Sequence, residues 1–202
     1  MSEEPLAPVL RDVYRELMST NWNQDVYLEA LRFAAEAHRG QTVPGTEGLP
    51  YLLHLTSVAM EVMGALQHEA VQAPDLAVTC ALLHDTIEDT QVTYEQVSQQ
   101  FGTVVAEGVS ALSKNEALPK PERMQDSLTR IRTQPREVWM VKLADRITNL
   151  QRPPAKWSAE KRLKYWKEAS VIRDALGSSS DYLRARIDQK IARYTQYLKD
   201  EN

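Results

Sequence analysis

The chain has one cysteine, seven glycines in 202 residues, and no apolar run approaching the roughly 18 residues needed to cross a bilayer. Each scarcity removes a class of protein. Cys80, in the apolar run LAVTCALL, has no second cysteine to pair with and reads as a buried thiol without chemistry of its own. The start, MSEEPLAPVL, lacks a basic stretch followed by an apolar one, so a cytoplasmic location and no membrane partner are expected. Excess positive charge is missing as well. A net charge of −4 and a pI near 5.6 argue against a sequence-independent nucleic-acid surface, while leaving room for a locally basic cleft that takes a polyphosphate. Strand-like alternation bounded by turn signals is absent, as are internal repeats and low-complexity tracts.

What is present is apolar spacing of the helical kind almost throughout, which the scarcity of glycine suits. With 43% hydrophobic and 26% charged residues the chain reads as one soluble globular domain over 1–202, all-α, with about eight to ten helices. A first helix is expected over about 8–19 and a second over about 24–39, with Leu28, Leu31, Ala34, Ala35 and His38 on one face. The segment QTVPGTEGLP (41–50) is the clearest internal loop. A third helix should carry His54 through Val58, Val62 and Leu66, and a fourth, from Pro74 and Asp75, should carry His84 and Asp85. Thr93 and Gln96 form a capping-box pattern for a helix ending at Phe101-Gly102. Another helix leads to Ser113. Pro135 suits the first turn of the helix holding VWMVKLADRITNL, and helices over about 158–175 and 180–199 complete the chain. Trp139, Trp157 and Trp166 read as core aromatics rather than a subunit contact.

Three distant pieces carry the chemistry: His54, ALLHDTIEDT with His84 and Asp85, and KLADRITNL with Asp145. They lie 30 and 60 residues apart, so only a fold that gathers them makes them useful. Two imidazoles and two carboxylates suit Mn²⁺, Fe²⁺ or Zn²⁺ and leave coordination positions open. Any one of these residues alone is more simply a core histidine, a turn aspartate or an ion-pair partner, with Lys142 or Arg146 available to Asp145. Together they outweigh that reading, because a carboxylate inside an apolar run needs a cation to offset its burial. Glu88 and Asp89 follow Asp85 by three and four residues, which on a helix puts acid–base groups beside the ligands. Arg39, Lys114, Lys120, Arg146 and Lys161 occur near these segments as candidate phosphate partners.

These segments resemble the HD superfamily of metal-dependent phosphohydrolases, and within it the hydrolase domain of RelA/SpoT-type alarmone enzymes, most closely the stand-alone small alarmone hydrolases related to the metazoan SpoT homologue. The matching stretches are AHRGQ (37–41), PYLLHLTSVA (50–59), ALLHDTIEDT (81–90), FG (101–102), LPKPER (118–123) and KLADRITNL (142–150), covering about 25–175. The resemblance implies a single HD-type helical domain. It also implies Mn²⁺ held by His54, His84, Asp85 and Asp145, with Glu88 and Asp89 as the acid–base pair, and removal of the 3′-pyrophosphate from (p)ppGpp. Lys120, Asn149 and Tyr165 fall where the family contacts the nucleotide, with Lys161 or Arg162 as a further phosphate contact.

The chain departs from the family pattern in the loop before His54. Where members commonly carry an Arg-Lys pair against the guanine base, this sequence has Val43-Pro44. Loss of a cationic stacking platform costs on the order of 1–2 kcal/mol of base recognition, so adenine analogues such as (p)ppApp are expected as substrates too. The synthetase and regulatory regions of the long bifunctional enzymes have no counterpart here, and alarmone synthesis is not expected. Two readings compete: an HD phosphohydrolase of another nucleotide, such as a 2′-phosphatase of NADPH, and a non-catalytic nucleotide sensor. The second would be favoured by a missing ligand or a missing Glu-Asp pair, and the sequence has both.

Overall fold

A computed structural model describes residues 22–198, and the helix expected over 8–19 lies outside them. Among the described residues the chain is helical and without a strand; the elements are α1 (Gln24–Ala37), α2 (Leu52–Leu66), α3 (Pro74–Leu83), the single turn α4 (Thr86–Asp89), α5 (Tyr94–Phe101), α6 (Thr103–Leu112), α7 (Arg123–Arg132), α8 (Arg136–Asn149), α9 (Ala159–Leu176) and α10 (Asp181–Tyr194). Short 3₁₀ turns follow α9 and α10. The expected all-α architecture is the one observed.

Local chemistry sets most of the boundaries. Asn23 caps α1 by accepting from the Asp25 N–H at 2.8 Å, and its own N–H donates to Asp75 at 2.6 Å, tying the start of α1 to the start of α3. The Thr93–Gln96 capping box forms in both directions. Gly102, with φ of 88°, turns α5 sharply into α6 in a backbone region that side chains with a Cβ avoid. Ser158 and Ser180 cap α9 and α10 in the same manner as Asn23 caps α1. Helix α8 begins one residue after Pro135, which is extended rather than in the first turn.

The core is built where α2, α3 and α8 pack on one another. Every residue of α3 from Leu76 to Leu83 is buried, and a helix apolar all round belongs at the centre. Leu55, Val58 and Val62 of α2 and Met140, Leu143 and Ile147 of α8 close around it, each such side chain contributing about 1.5–3 kcal/mol by leaving water. Helices α9 and α10 cover the outer side of α8, and α1 and α6 cover α3. Gly108 of α6 allows its close approach: a Cβ there would sit 2.9 Å from Val138 and 3.0 Å from the Cys80 sulfur.

Besides Pro135, three boundaries or faces differ from expectation. The fourth helix stops at Leu83, so His84 and Asp85 occupy the junction between α3 and α4 rather than a continuous helix. Leu28 is 44% exposed, and Ala30 takes the inward position on α1. The last helix ends at Tyr194, short of 199.

Candidate metal centre

His54 leaves the first turn of α2, His84 caps the end of α3, Asp85 starts α4, and Asp145 comes from α8, so the three central helices all deliver side chains to one place. The His84 Nδ1–H donates to the Ala81 carbonyl at 2.9 Å, which turns Nε2 inward as the free nitrogen. Nε2 of His54 and Nε2 of His84 lie 3.3 Å apart. Asp85 Oδ2 stands 2.9 Å from the His84 nitrogen and 3.5 Å from that of His54. Asp145 Oδ1 stands 3.5 and 3.9 Å from the same two nitrogens. The donor atoms of His54, His84 and Asp85 all lie within 4.8 Å of one another.

The charges in this cluster balance only with a cation or a shared proton. Burial alone pushes the His84 imidazole down, but the Asp85 and Asp145 carboxylates outweigh it and raise the group to about 9. Burial likewise works to raise Asp85, yet the His84 charge and hydrogen bonds from His54, His84 and Tyr51 hold its carboxyl well below the usual range. Asp145 is lowered too, against its burial, by Lys142 and the two histidines. Two imidazole nitrogens facing each other between two carboxylates are a poor hydrogen-bonding arrangement and a good N₂O₂ donor set for a divalent cation.

Neighbouring residues orient the donors. Lys142 donates to Asp145 Oδ2 at 3.1 Å, and the Asn149 amide donates to Oδ1. Tyr51, which lay outside the sequence-based candidates, donates its hydroxyl to Asp85 Oδ2 at 2.6 Å. Burial and the facing Asp85 raise its phenol, which keeps it a donor. Its signal in the sequence was position alone, one helical turn before His54. Of the acid pair, Asp89 is raised by burial and by Asp85 and Glu88, while Glu88 is held by Lys114.

The nucleotide-side candidates fall into two groups. Asn149 touches Asp145 directly, and Tyr165 lies within electrostatic reach of it. Tyr165 has the Arg146 guanidinium over its ring, 4.1 Å from the centre, and meets Trp157 edge-on at 5.1 Å; the Lys161 ammonium sits 4.3 Å above the Trp157 ring. Arg162 follows on the same helix, and its charge acts on Tyr194 of α10. Arg146 thus turns toward Tyr165 and Glu168 rather than Asp145. Lys120 instead lines an open groove of about 460 Å³ with Met124, Leu163, Lys164 and Glu168. Arg39 pairs with Glu36 on the exposed surface.

Val43 and Pro44 lie in a loop closed by a Thr42–Pro50 bridge and by the Val43 N–H donating to the Leu49 carbonyl at 2.9 Å. Gly45 backs onto Pro154, where a Cβ would come within 3.0 Å, so the loop leans on the turn that follows α8.

A family model for the HD domain matches residues 30–178. The guanosine-3′,5′-bis(diphosphate) 3′-pyrophosphohydrolase MESH1 of Danio rerio is 34% identical over 168 residues, which are 81% of this chain and 91% of that protein. A protein of Haemophilus influenzae carrying the same enzyme name is 38% identical over 125 residues, 58% of this chain and 17% of its own length. Among solved structures, one described as a metazoan ortholog of SpoT that hydrolyzes ppGpp superposes with a TM-score of 0.74 at 25% identity, over 88% of this chain and 98% of that one. A Listeria monocytogenes structure shares the fold at a TM-score of 0.56 and 22% identity, over 74% of this chain and 97% of its own. No helix among the described residues is long and apolar enough to cross a membrane. On the span of the family match, which includes all four converging side chains, the chain belongs to the HD-domain family.

Proposed function

We propose that this chain is a 3′-pyrophosphohydrolase of alarmone nucleotides, cutting (p)ppGpp to GDP or GTP and pyrophosphate, with Mn²⁺ held by His54, His84, Asp85 and Asp145. The observation that carries the reading is the meeting of those four side chains beside Asp89, a carboxyl raised by burial. The names of the relatives supply the substrate class. A cation in that set supplies Lewis acidity toward phosphate oxygens and the attacking water.

The chain's own residues do the rest. Asp89 takes a proton from water as its oxygen attacks the phosphorus next to the ribose, and returns it to the 3′ oxygen as that P–O bond breaks. Glu88, fixed by Lys114, is the second member of the acid–base pair and keeps the α4 turn in place. Lys142 and Asn149 hold the Asp145 carboxylate. Lys161, Arg162, Asn149 and Tyr165 face the nucleotide, and Lys120 receives its outer phosphates. Val43-Pro44 offers the base an apolar contact, so (p)ppApp is accepted along with (p)ppGpp. A small nucleotide is the partner, without nucleic acid or membrane, and the setting is cytoplasmic.

The test is product identification on both nucleotides, with EDTA and with Mn²⁺ restored, for the wild type and Asp85→Ala. Pyrophosphate release that stops with EDTA, returns with Mn²⁺ and is lost in the variant is the expected result. Turnover indifferent to EDTA and to Asp85→Ala refutes the mechanism, and a guanine selectivity of about a hundredfold, equal to roughly 2.7 kcal/mol, refutes the relaxed base preference.

A further inference from the structure

The AHRGQ segment supplies none of the four converging donors, yet two of its side chains brace the site from outside. The Gln41 amide donates through Nε2 to the Asp89 carbonyl at 2.7 Å. That leaves Oε1 to accept, and it faces His38 Nδ1 at 2.8 Å, so Nδ1 carries the His38 proton. The buried His38 ring is stacked on Tyr51, with ring centres 4.9 Å apart and planes 21° from parallel. The Tyr51 N–H donates to the Gln41 carbonyl at 3.0 Å. Tyr51 is therefore pinned through both its backbone and its ring face.

Its hydroxyl lies between two carboxylates with different duties, 2.6 Å from Asp85 Oδ2 and 3.4 Å from Asp89 Oδ2. A carboxylate oxygen offers two lone-pair directions. One direction of Asp85 Oδ2 is taken by Tyr51, which leaves the other for the side where His84 and His54 present their nitrogens at 2.9 and 3.5 Å. The same hydroxyl limits how close Asp89 comes to Asp85.

We propose that Tyr51 is a positioning residue of this centre, its hydroxyl aiming Asp85 Oδ2 at the metal position and spacing Asp89 from it, with His38 and Gln41 as its support. The spacing of Asp89 rests on the hydrolase reading above. The aiming of Asp85 does not. Groups that orient a metal ligand from behind change metal affinity by about 10–100-fold when removed.

Tyr51→Phe removes the hydroxyl and keeps the stacked ring, so the metal-free variant should still fold cooperatively, with a midpoint lowered by about 3–12 °C for the lost hydrogen bond to a carboxylate. Mn²⁺ titration by calorimetry should show affinity weakened by about tenfold or more. At saturating Mn²⁺, kcat should fall about tenfold with KM within about twofold, since Asp89 rather than nucleotide binding is disturbed. Gln41→Ala, which frees the Asp89 carbonyl and loosens the His38 ring behind Tyr51 but leaves the hydroxyl, should lower kcat and weaken Mn²⁺ affinity less than Tyr51→Phe does. Tyr51→Phe with affinity and kcat both at wild-type values overturns the proposal. A wild type that binds Mn²⁺ but releases no pyrophosphate defeats the hydrolase reading alone, because the affinity comparison still decides Tyr51; a wild type that binds no Mn²⁺ defeats both.

Discussion

Lys114 grips Glu88 twice: its backbone N–H donates to Oε2 at 2.8 Å and its ammonium donates to Oε1. The neighbouring Asp89 has a looser side-chain contact, 3.4 Å from the Tyr51 hydroxyl, and a carboxyl raised by burial and by the charges of Asp85 and Glu88. One acid is fixed and the other is free to exchange a proton.

Asp89→Asn should therefore cost more than Glu88→Gln. General acid–base groups contribute about 10²–10⁴-fold in rate, and the Asp89 variant should lose an amount in that range from kcat. Glu88→Gln keeps an oxygen for the Lys114 N–H and should lose less. Steady-state pyrophosphate release at saturating substrate measures both, and equal losses would contradict the division of labour.

The raised His84 imidazole links metal binding to protons. Without metal the group is charged at neutral pH, since its value of about 9 lies above the ordinary 6.5. Its contribution to metal-free stability is complete below about pH 6.5 and is lost as pH rises through about 9. A metal needs the neutral nitrogen, so the two equilibria oppose each other. Mn²⁺ affinity should rise about tenfold per pH unit between pH 6.5 and 8.5, with one proton released per ion bound. Calorimetry in two buffers of different ionisation enthalpy counts that proton, and a pH-independent affinity would disprove the linkage.

Arg186 of α10 reaches back to Glu61 of α2 with both ends of its guanidinium, Nε donating to Oε2 at 2.9 Å and Nη2 to Oε1. This pair fastens the last helix to the one that carries His54. Glu61 is 6% exposed, whereas the Arg186 side chain is 29% exposed and can be rehydrated in place. Arg186→Met should thus destabilise by about 3 kcal/mol, more than Glu61→Met does, because it leaves a buried carboxylate without its hydrogen-bonded partner. For a chain of this size that is about 6–12 °C in thermal midpoint. A smaller loss for Arg186→Met than for Glu61→Met would reverse the argument.

The donors were legible in the sequence because His84, Asp85 and Asp145 interrupt apolar runs where an uncompensated polar group is costly. The helix break at Asp85 was not. No glycine or proline marks it, and the Asp89 N–H still bonds to the Asp85 carbonyl at 2.8 Å, so the local pattern reads as unbroken helix. Ala34 was placed correctly on the inward face, but Leu28 was placed there too since the stripe of α1 fits two rotations, and only contact with α3 selects Ala30 instead. The Lys114–Glu88 and Tyr51–Asp85 contacts join residues 26 and 34 apart through a loop and a helix end, where no periodicity reports them.

The loop that differs from the family pattern offers a direct way to restore it. Val43 uses its N–H to close the loop on Leu49, a bond that any residue with a backbone N–H can make, and Pro44 is exposed beside it. Val43→Arg with Pro44→Lys should leave the loop closed while returning a cationic face for the base to stack on. A guanidinium over an aromatic ring gives about 1–2 kcal/mol at a partly desolvated site, and the larger electron-rich purine face of guanine should gain more of it than adenine. Part of that interaction is common to both bases and cancels in the comparison, so the ratio of kcat/KM for ppGpp over ppApp should rise from a wild-type value near one by about two- to fivefold, the equivalent of roughly 0.4–1 kcal/mol. Both ratios come from initial rates of pyrophosphate release with Mn²⁺. A double variant that gains turnover equally on both nucleotides would place base selection outside this loop, on the Trp157–Tyr165 side of the site.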